Sequence, residues 1–363
     1  MTSYHCSNCH RSYPDEGLPY KCAHCGGTYA LNGLLTYDPQ QIEPDLPGLW
    51  RYRHSFGLPA DAPVLSMGEG ATPLLTSDLA GKQVAFKLEF LNPTGSFKDR
   101  GTAPTLSFLR SRGVDAAVED SSGNAGASFA AYAARAGIRG RVFVPDYASG
   151  PKRAQIEAHG AELVRILGPR SEAGKAVRAA AEEGAVYASH SMLPFGLAGL
   201  ATIAYELVDE LGQAPGSVIA PVGHGSLLLG IAEGFRALQA AGVVETLPRL
   251  AGVQARACAP LWAVANMGAA GLAWMTEGAT LAEGVRVRQP VRGDALMQAI
   301  QHSGGAVLAV EEEEILPGRD KLAAMGLFVE PTSAIVWSAL EQVAAQLPEP
   351  IVVILTGSGL KSI

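Results

Sequence analysis

The feature that most constrains the fold is an alternation of short apolar runs with alanine-rich stretches, which begins after about residue 81. Apolar runs lie at 142–144, 162–167, 217–220 and 351–355, and residues 125–136 have the composition of a helix. An acidic run at 311–314 is typical of a helix N-terminus. Alternating strands and helices predict an α/β fold built on parallel sheets covered by helices. In such folds ligands bind at loops that leave the C-terminal ends of strands, so the search for a site begins there.

Length and charge narrow the class of protein. The chain has 363 residues, which is enough for two domains and a remainder. Its net charge is −7, so no basic excess exists to neutralise a nucleic acid, and we expect no nucleic-acid partner. No apolar run reaches the roughly 18 residues of a membrane span, and the N-terminus lacks the pattern of a signal peptide. We therefore expect a cytoplasmic protein with no membrane partner.

Four of the five cysteines form two Cys-x-x-Cys pairs within the first 25 residues, with twelve residues between the pairs. Two such knuckles present four thiolates to one tetrahedral metal, and a site with four protein ligands is structural. Zinc is the expected metal; iron accepts the same sulfur geometry, and disulfide pairing is the alternative. The predicted ligands are Cys6, Cys9, Cys22 and Cys25. Cys258, in an apolar context, is predicted to be buried.

Three loops that each lead into a predicted helix carry the candidate chemistry; the second and third follow a predicted strand. Segment 92–101 (NPTGSFKDRG) presents Lys98 at a helix start, where a lowered pKa would favour an imine with an aldehyde; an ordinary surface lysine is the alternative. Segment 121–128 (SSGNAGAS) contains ordinary N-cap residues, and its backbone amides also suit a carboxylate. Segment 221–230 (PVGHGSLLLG) allows the backbone to curl around a phosphate, although its histidine can equally fill loop space.

The segment around Lys98 resembles the lysine motif of threonine synthases, within the fold-type II, tryptophan synthase β-like enzymes that use pyridoxal 5'-phosphate. Supporting segments are 68–74 (GEGATPL), 121–124 (SSGN), 199–206 (GLATIAYE), 330–334 (EPTSA) and 355–361 (LTGSGLK), together with the four-cysteine ribbon. The resemblance implies two parallel-sheet, three-layer α/β domains preceded by a small zinc ribbon. The implied boundaries are 1–35 for the ribbon, 36–105 with 206–363 for a large cofactor domain, and 106–205 for a small substrate domain. It also implies a homodimer.

The same resemblance implies a role for each candidate residue. Lys98 would hold the cofactor aldehyde covalently and carry the Cα proton of a small amino-acid substrate, with Phe97 near the ring. Asn124 would hydrogen-bond the ring hydroxyl, and Thr356 would face the pyridine nitrogen. The substrate carboxylate would be held by Ser121, Ser122, Gly123 and the helix start at Ala125. The cofactor phosphate would be held by Gly223, His224, Gly225, Ser226 and Leu227.

The implied reaction is elimination or replacement on the side chain of an L-amino acid. A neutral threonine cannot keep the pyridine nitrogen protonated as an aspartate would, which favours this chemistry over transamination. In threonine synthases the substrate is O-phosphohomoserine, which reacts with water to give threonine and phosphate. The enzyme class implied is a pyridoxal-phosphate-dependent lyase of amino-acid metabolism. A cofactor-binding scaffold or regulatory protein, with the ribbon as a docking surface, is the alternative from another class.

One segment departs from the threonine synthase pattern. Residues 193–202 read LPFGLAGLAT where those enzymes carry a segment resembling NPFRLEGQKT, whose polar residues are expected to hold the substrate phosphate. A buried phosphate without cationic or donor partners is strongly disfavoured. Lys87 and Arg100 are the cations that could replace them. Ala125 also stands where threonine is common, and segment 280–284 (TLAEG) is more similar to serine and threonine ammonia-lyases, although Glu283 can equally be a solvated acid. The alternative function is therefore a serine/threonine ammonia-lyase or another β-replacing enzyme on an unphosphorylated amino acid.

Overall fold

A computed structural model describes residues 3–79, 81–121, 123–146, 150–168, 170–275 and 277–362. The strands are β1 (Tyr4–Cys6), β2 (Tyr29–Leu31), β3 (Leu74–Leu79), β4 (Lys82–Lys87), β5 (Ala116–Glu119), β6 (Arg139–Pro145), β7 (Glu162–Ile166), β8 (Ser217–Pro221), β9 (Arg249–Ala255), β10 (Ala306–Val310) and β11 (Ile351–Ile354). The helices are α1 (Lys98–Ser111), α2 (Asn124–Ala136), α3 (Pro151–Ala158), α4 (Arg170–Glu182), α5 (Gly196–Leu211), α6 (Ser226–Ala240), α7 (Pro260–Met267), α8 (Gly293–His302), α9 (Glu312–Ala324) and α10 (Pro331–Val343). None of the helices in these ranges is both long and apolar enough to cross a bilayer.

The predicted elements are confirmed where the sequence pattern was clear. The apolar runs at 142–144, 162–167, 217–220 and 351–355 correspond to β6, β7, β8 and β11, and the alanine-rich stretch corresponds to α2. The acidic run starts α9, where Glu311 and Glu314 form a capping box. The proline-rich segment from residue 36 to about residue 70, here called the connector, contains short 3-10 helices at Pro39–Gln41 and Gly48–Ser55.

The chain divides into two compact units. The first runs to Gly70 and from Asn92 to Gly199, and the second comprises Ala71–Leu91 and Leu200–Ser362. The first unit contains the ribbon, the connector and α1. The predicted boundaries instead separate the ribbon at residue 35, place the connector in the large domain, and divide α1 at residue 105 between the large and the small domain. The division into a ribbon, a large domain and a small domain stays a prediction.

The first unit contains a three-stranded parallel sheet in the order β5-β6-β7. The antiparallel pair β1–β2 forms the ribbon and packs within the same unit. The rings of Tyr4 and Tyr13 each lie edge-on to Phe195 with centroids 5.1 Å apart, and Phe195 stacks on Phe108 of α1 at 3.8 Å. Aromatic contacts of this kind stabilise beyond the area that they bury. The ribbon is therefore part of the hydrophobic packing of this unit.

The second unit contains a six-stranded sheet in the order β10-β9-β8-β11-β4-β3. All neighbours are parallel except β3 and β4, so the expected parallel sheet is mixed at this edge. The reason is local: Leu79 pairs with Lys82, and a two-residue connection can join only antiparallel strands. β11, the last strand in the chain, lies in the centre between β4 and β8 and is buried along its whole length.

Candidate active site

Lys98 is the first residue of α1 and is held in place by the turn before it. Gly95, with φ +81°, donates its N–H to Asn92 O at 2.7 Å, which closes that turn. The buried carboxylate of Asp99 accepts from Thr94 N at 2.7 Å and from Thr94 Oγ1 at 2.6 Å. Lys98 Nζ lies 4.7 Å from the centroid of the Phe97 ring, which agrees with the predicted pairing of these two residues. The lysine is thus presented by a turn with little freedom to move.

The loop between β5 and α2 holds the second group of predicted residues. Ser121 is buried, and its Oγ accepts from Gly123 N at 3.2 Å. A Cβ on Gly126 would lie 1.8 Å from Ser121 O, so the loop folds directly onto the first turn of α2 and requires glycine there. Asn124 is the first residue of α2, and Ala125 is buried. Ser122 lies outside the described residues, so its predicted role stays a prediction.

A hydrogen-bond chain connects the starts of α1 and α2. Ser128 Oγ donates to Thr102 Oγ1 at 2.8 Å, and Thr102 Oγ1 donates to Lys98 O at 3.0 Å. Ser128 and Thr102 each lie about one turn, roughly 5.4 Å, inside their helix. Lys98 and Asn124, predicted from separate motifs, therefore lie at the same end of two packed helices.

In the second unit, the glycine loop between β8 and α6 has the conformation of an anion-binding loop. Gly225 has φ +93° and precedes Ser226, the first residue of α6. A Cβ on Gly223 would lie 2.8 Å from Gly284 O, so this position also requires glycine. The N–H groups of Ser226 and Leu227 belong to the first turn of α6, where the helix supplies no acceptor. The loop thus presents backbone donors and a helix dipole at one point, as a phosphate requires.

Thr356 follows β11 at the same edge of the sheet as the glycine loop. β11 and β8 are parallel neighbours with Val353 paired to Ile219, so both loops leave the sheet at the C-terminal ends of their strands. Thr356 N donates to Ser333 Oγ at 2.9 Å. Within the described part of the chain, the buried Thr356 Oγ1 has no hydrogen-bond partner. A buried hydroxyl of this kind fits a ligand that carries a ring nitrogen.

Arg292 is a feature of this loop that the sequence analysis missed. The backbone N–H of Arg292 donates to His224 O at 2.9 Å. A Cβ built on Gly225 would lie 3.3 Å from the Cβ of Arg292. Val291 N is 3.5 Å from His224 Nδ1, so the start of α8 holds the loop on this side. Arg292 is almost fully buried, and burial lowers the pKa of its guanidinium to about 10. No local motif marks this arginine, because its proximity to the loop arises from packing between distant segments.

The four predicted metal ligands lie together in the ribbon. Cys6 Sγ is 3.4 Å from Cys25 Sγ, and Cys9 Sγ is 3.6 Å from Cys22 Sγ. These separations are close to the edge of about 3.8 Å that a tetrahedron with Zn–S bonds of about 2.3 Å requires. His10 at φ +58° and Gly26 at φ +73° close the two knuckles by donating to Cys6 O and Cys22 O.

The thiols of the ribbon differ in acidity. The N–H groups of Cys25 and His24 lower the pKa of Cys22 to about 6. For Cys25 the Gly27 N–H lowers the pKa, but hydrogen bonds with the other thiols raise it to about 12 on balance. Four thiolates this close together therefore need a cation to be stable at neutral pH.

The segment in which the family's phosphate-binding residues are missing is apolar and tightly packed. Leu193, Phe195, Leu197 and Ala198 are buried in the first unit. A Cβ on Gly196 would lie 2.9 Å from Gly101 O, and one on Gly199 only 1.9 Å from Arg100 O. The segment thus lies directly on the backbone of α1, which leaves no space for an arginine at position 196.

Lys87 and Arg100, the two cations predicted to replace the missing phosphate-binding residues, are both buried. Lys87 is fully buried in the second unit, where its Nζ lies 3.0 Å from Glu206 Oε2 and 2.9 Å from Glu210 Oε2. The side chain of Arg100 is also buried. Glu283 of the ammonia-lyase-like segment is exposed in a short turn. Lys87 therefore neutralises buried carboxylates and is not available to a substrate phosphate.

A family model for pyridoxal-phosphate dependent enzymes matches residues 65–357. The chain belongs to this family. The threonine synthase of Methanocaldococcus jannaschii is 34% identical over 98% of this chain and 92% of that protein. The threonine synthase of Mycobacterium tuberculosis is also 34% identical, over 90% of this chain and 92% of that protein.

Solved structures of the family share the fold. The crystal structure of the threonine deaminase of T.th. has a TM-score of 0.67 and 30% identity, covering 79% of this chain and 92% of that one. The O-acetylserine dependent cystathionine beta-synthase of Helicobacter pylori has a TM-score of 0.68 and 25% identity, covering 81% and 95%. The predicted fold class and the enzyme class, a pyridoxal-phosphate-dependent lyase, are confirmed.

Proposed function

We propose that this pyridoxal-phosphate-dependent enzyme catalyses the threonine synthase reaction, in which O-phosphohomoserine and water give threonine and phosphate. The observation that carries the proposal is the extent of the match. The threonine synthase of Methanocaldococcus jannaschii matches 98% of the chain, which takes in most of the ribbon, whereas the threonine deaminase structure covers 79%. The substrate is a small L-amino acid, both for this reaction and for the ammonia-lyase reaction considered below.

The predicted site residues are assigned distinct roles. We assign the cofactor phosphate to the glycine loop at 223–227, the ring nitrogen to Thr356, and the ring hydroxyl to Asn124. Lys98 holds the cofactor aldehyde and carries the Cα proton, and the start of α2 with Ser121 holds the substrate carboxylate. When bound, pyridoxal phosphate stabilises negative charge that develops at the substrate Cα. The neutral hydroxyl of Thr356 leaves this electron sink weaker than an aspartate would, which favours elimination and replacement.

A second candidate function, a serine or threonine ammonia-lyase, is favoured by one observation. The apolar segment at 193–201 packs on α1 and provides no cation for a substrate phosphate. An unphosphorylated side chain needs no cation, whereas a dianionic phosphate would have to find its partners outside this segment.

An assay with both substrate classes separates the two functions. Release of phosphate from O-phosphohomoserine with formation of threonine supports the first, and 2-oxobutyrate or pyruvate from threonine or serine supports the second. We expect Lys98→Ala to abolish either activity together with the visible absorbance of the lysine-bound cofactor. An enzyme that turns over neither substrate class, or a Lys98→Ala variant that retains the absorbance, overturns the proposed function.

The ribbon is proposed to hold a structural zinc ion, supported by the sulfur separations. Metal analysis of the purified protein distinguishes zinc from iron. We also propose a cytoplasmic homodimer without nucleic-acid or membrane partners, on the basis of the family resemblance and the composition. Sedimentation equilibrium at a monomer mass would contradict the dimer.

A further inference from the structure

A histidine and a buried glutamate form a short hydrogen bond in the first unit. His190 Nδ1 lies 2.5 Å from Glu119 Oε1. The side chain of Glu119 is fully buried, whereas 16% of the His190 side chain is exposed. In such pairs the carboxylate fixes the orientation of the imidazole and stabilises its protonated form. None of the roles assigned above uses this pair.

The pair lies where the substrate loop begins. Glu119 is the last residue of β5, and Ser121 follows two positions later. The segment that carries His190 runs beside this strand, since Ala188 N donates to Val118 O at 2.9 Å. His190 therefore lies at the C-terminal end of a parallel strand, the end at which ligands bind in α/β folds.

The neighbouring carboxylate of Asp120 has a different partner. Tyr187 OH donates to Asp120 Oδ1 at 2.7 Å. Burial, and then the charges of Asp120 and Glu119, raise the pKa of Tyr187 well above its usual value, so the phenol stays protonated and remains a donor. Glu119, Asp120 and His190 have ligating atoms within 4.8 Å of one another. Within this group, Glu119 is the residue that orients the imidazole.

We propose that His190, oriented by Glu119, transfers the proton at the β-oxygen of the substrate. This inference rests on the proposed function, because it requires Ser121 and the start of α2 to hold the amino-acid carboxylate. Both candidate reactions make or break the Cβ–O bond of a hydroxy amino acid. The pair thus acts at the chemical step that a threonine synthase and an ammonia-lyase have in common.

The proton and electron transfers balance in both directions. In elimination, Lys98 accepts the Cα proton and the C–H electron pair forms the Cα=Cβ double bond. The Cβ–O bond breaks with its electron pair on oxygen, which receives the proton of His190 Nε2 and leaves as water. In the addition of water, His190 Nε2 accepts a proton from water as oxygen bonds to Cβ, and Lys98 returns the proton to Cα.

The test uses two leaving groups in the full-length holoenzyme. Hydroxide needs a proton to depart from L-threonine, whereas chloride departs from β-chloro-L-alanine without one. We expect His190→Asn, which keeps an amide donor for Glu119 but removes Nε2, to lower kcat for L-threonine about 10²-fold with little change in KM. For β-chloro-L-alanine we expect a change of less than about threefold. Glu119→Gln should show the same preference for chloride to a smaller extent.

Controls separate this role from a structural one. The cofactor absorbance and the Tm of His190→Asn should match those of the wild type, and His302→Asn, on the exposed end of α8, should change neither rate. If His190→Asn loses the same factor in rate with both substrates, the proton-transfer role is overturned. It is also overturned if Asp120→Asn loses both rates, because that result would indicate a cation site. If the wild-type enzyme eliminates chloride from β-chloro-L-alanine but not hydroxide from L-threonine, the proposed role of His190 and Glu119 is overturned, whereas the proposed function is not. Failure of the wild type with both of these substrates and with O-phosphohomoserine overturns the proposed function as well.

Discussion

At the scale of single residues, close approaches of backbone decide which side chains the site can contain. Gly199 lies against Arg100 O, and Gly196 lies against Gly101 O, so α5 begins in direct contact with the backbone of α1. The segment that lacks the family's charged residues is therefore packed directly on the backbone of α1. The sequence shows which residues are missing, but only the structure shows that the space for them is missing too.

We expect Gly199→Ala to destabilise the protein by about 3 kcal/mol, because the new Cβ would lie 1.9 Å from a backbone oxygen that cannot move aside. Gly174→Ala in α4 is the matched control. Its Cβ would meet the ends of two side chains, Arg178 at 3.4 Å and Asp120 Oδ2 at 3.6 Å, and no backbone atom. Alanine is also the better helix former, so we expect no loss of stability. Urea denaturation of both variants measures the difference; equal midpoints would contradict the close contact.

At the scale of elements, two helix starts that carry candidate binding residues are each held by a neighbouring segment. Asp99 fixes the turn before α1, and the start of α8 fixes the glycine loop before α6. The first interaction spans five residues and lies within one motif. The second joins His224 to Arg292, and sequence spacing gives no sign of it.

Arg292 remains charged at neutral pH, because burial lowers its pKa only to about 10. We expect Arg292→Gln to raise the Kd for pyridoxal phosphate about tenfold or more, since a charge-assisted hydrogen bond contributes about 1.5–3 kcal/mol. The Kd for pyridoxal, which lacks the phosphate, should not change. Absorbance titration of the apoenzyme measures both constants, with the exposed Arg288→Gln as the control. Equal weakening for the two ligands would show that Arg292 does not act on the phosphate.

At the scale of the whole molecule, non-local contacts determine how the segments assemble. The ribbon packs through Tyr4 and Tyr13 onto Phe195, more than 180 residues away in the chain. In the second unit, Lys87 at the end of β4 pairs with Glu206 and Glu210 on α5. Such pairs depend on the complete fold, so no local pattern can predict them.

We expect Cys22→Ser to abolish metal binding, because a structural zinc site needs all four thiolates. With the ribbon unfolded, the aromatic contacts of Tyr4 and Tyr13 are lost, and Tm should fall by about 5 °C. The cofactor absorbance should remain. Metal analysis and thermal unfolding measure these effects, and Cys258→Ser, at the buried cysteine outside the ribbon, should retain the metal. Loss of the cofactor together with the metal would argue against a purely structural ribbon.

The sequence by itself determined the α/β class, the elements with a clear period, the lysine motif and the two glycine-rich loops. These features depend on residues close together in the chain, whose backbone preferences and periodicity are local. Only the tertiary structure showed that β3 runs antiparallel, that Arg292 lies against Gly225, that Lys87 is neutralised, and that His190 contacts Glu119. His190 and Glu119 are 71 residues apart, and they meet because Ala188 N donates to Val118 O at the end of β5. Contacts of this kind arise from packing between distant segments.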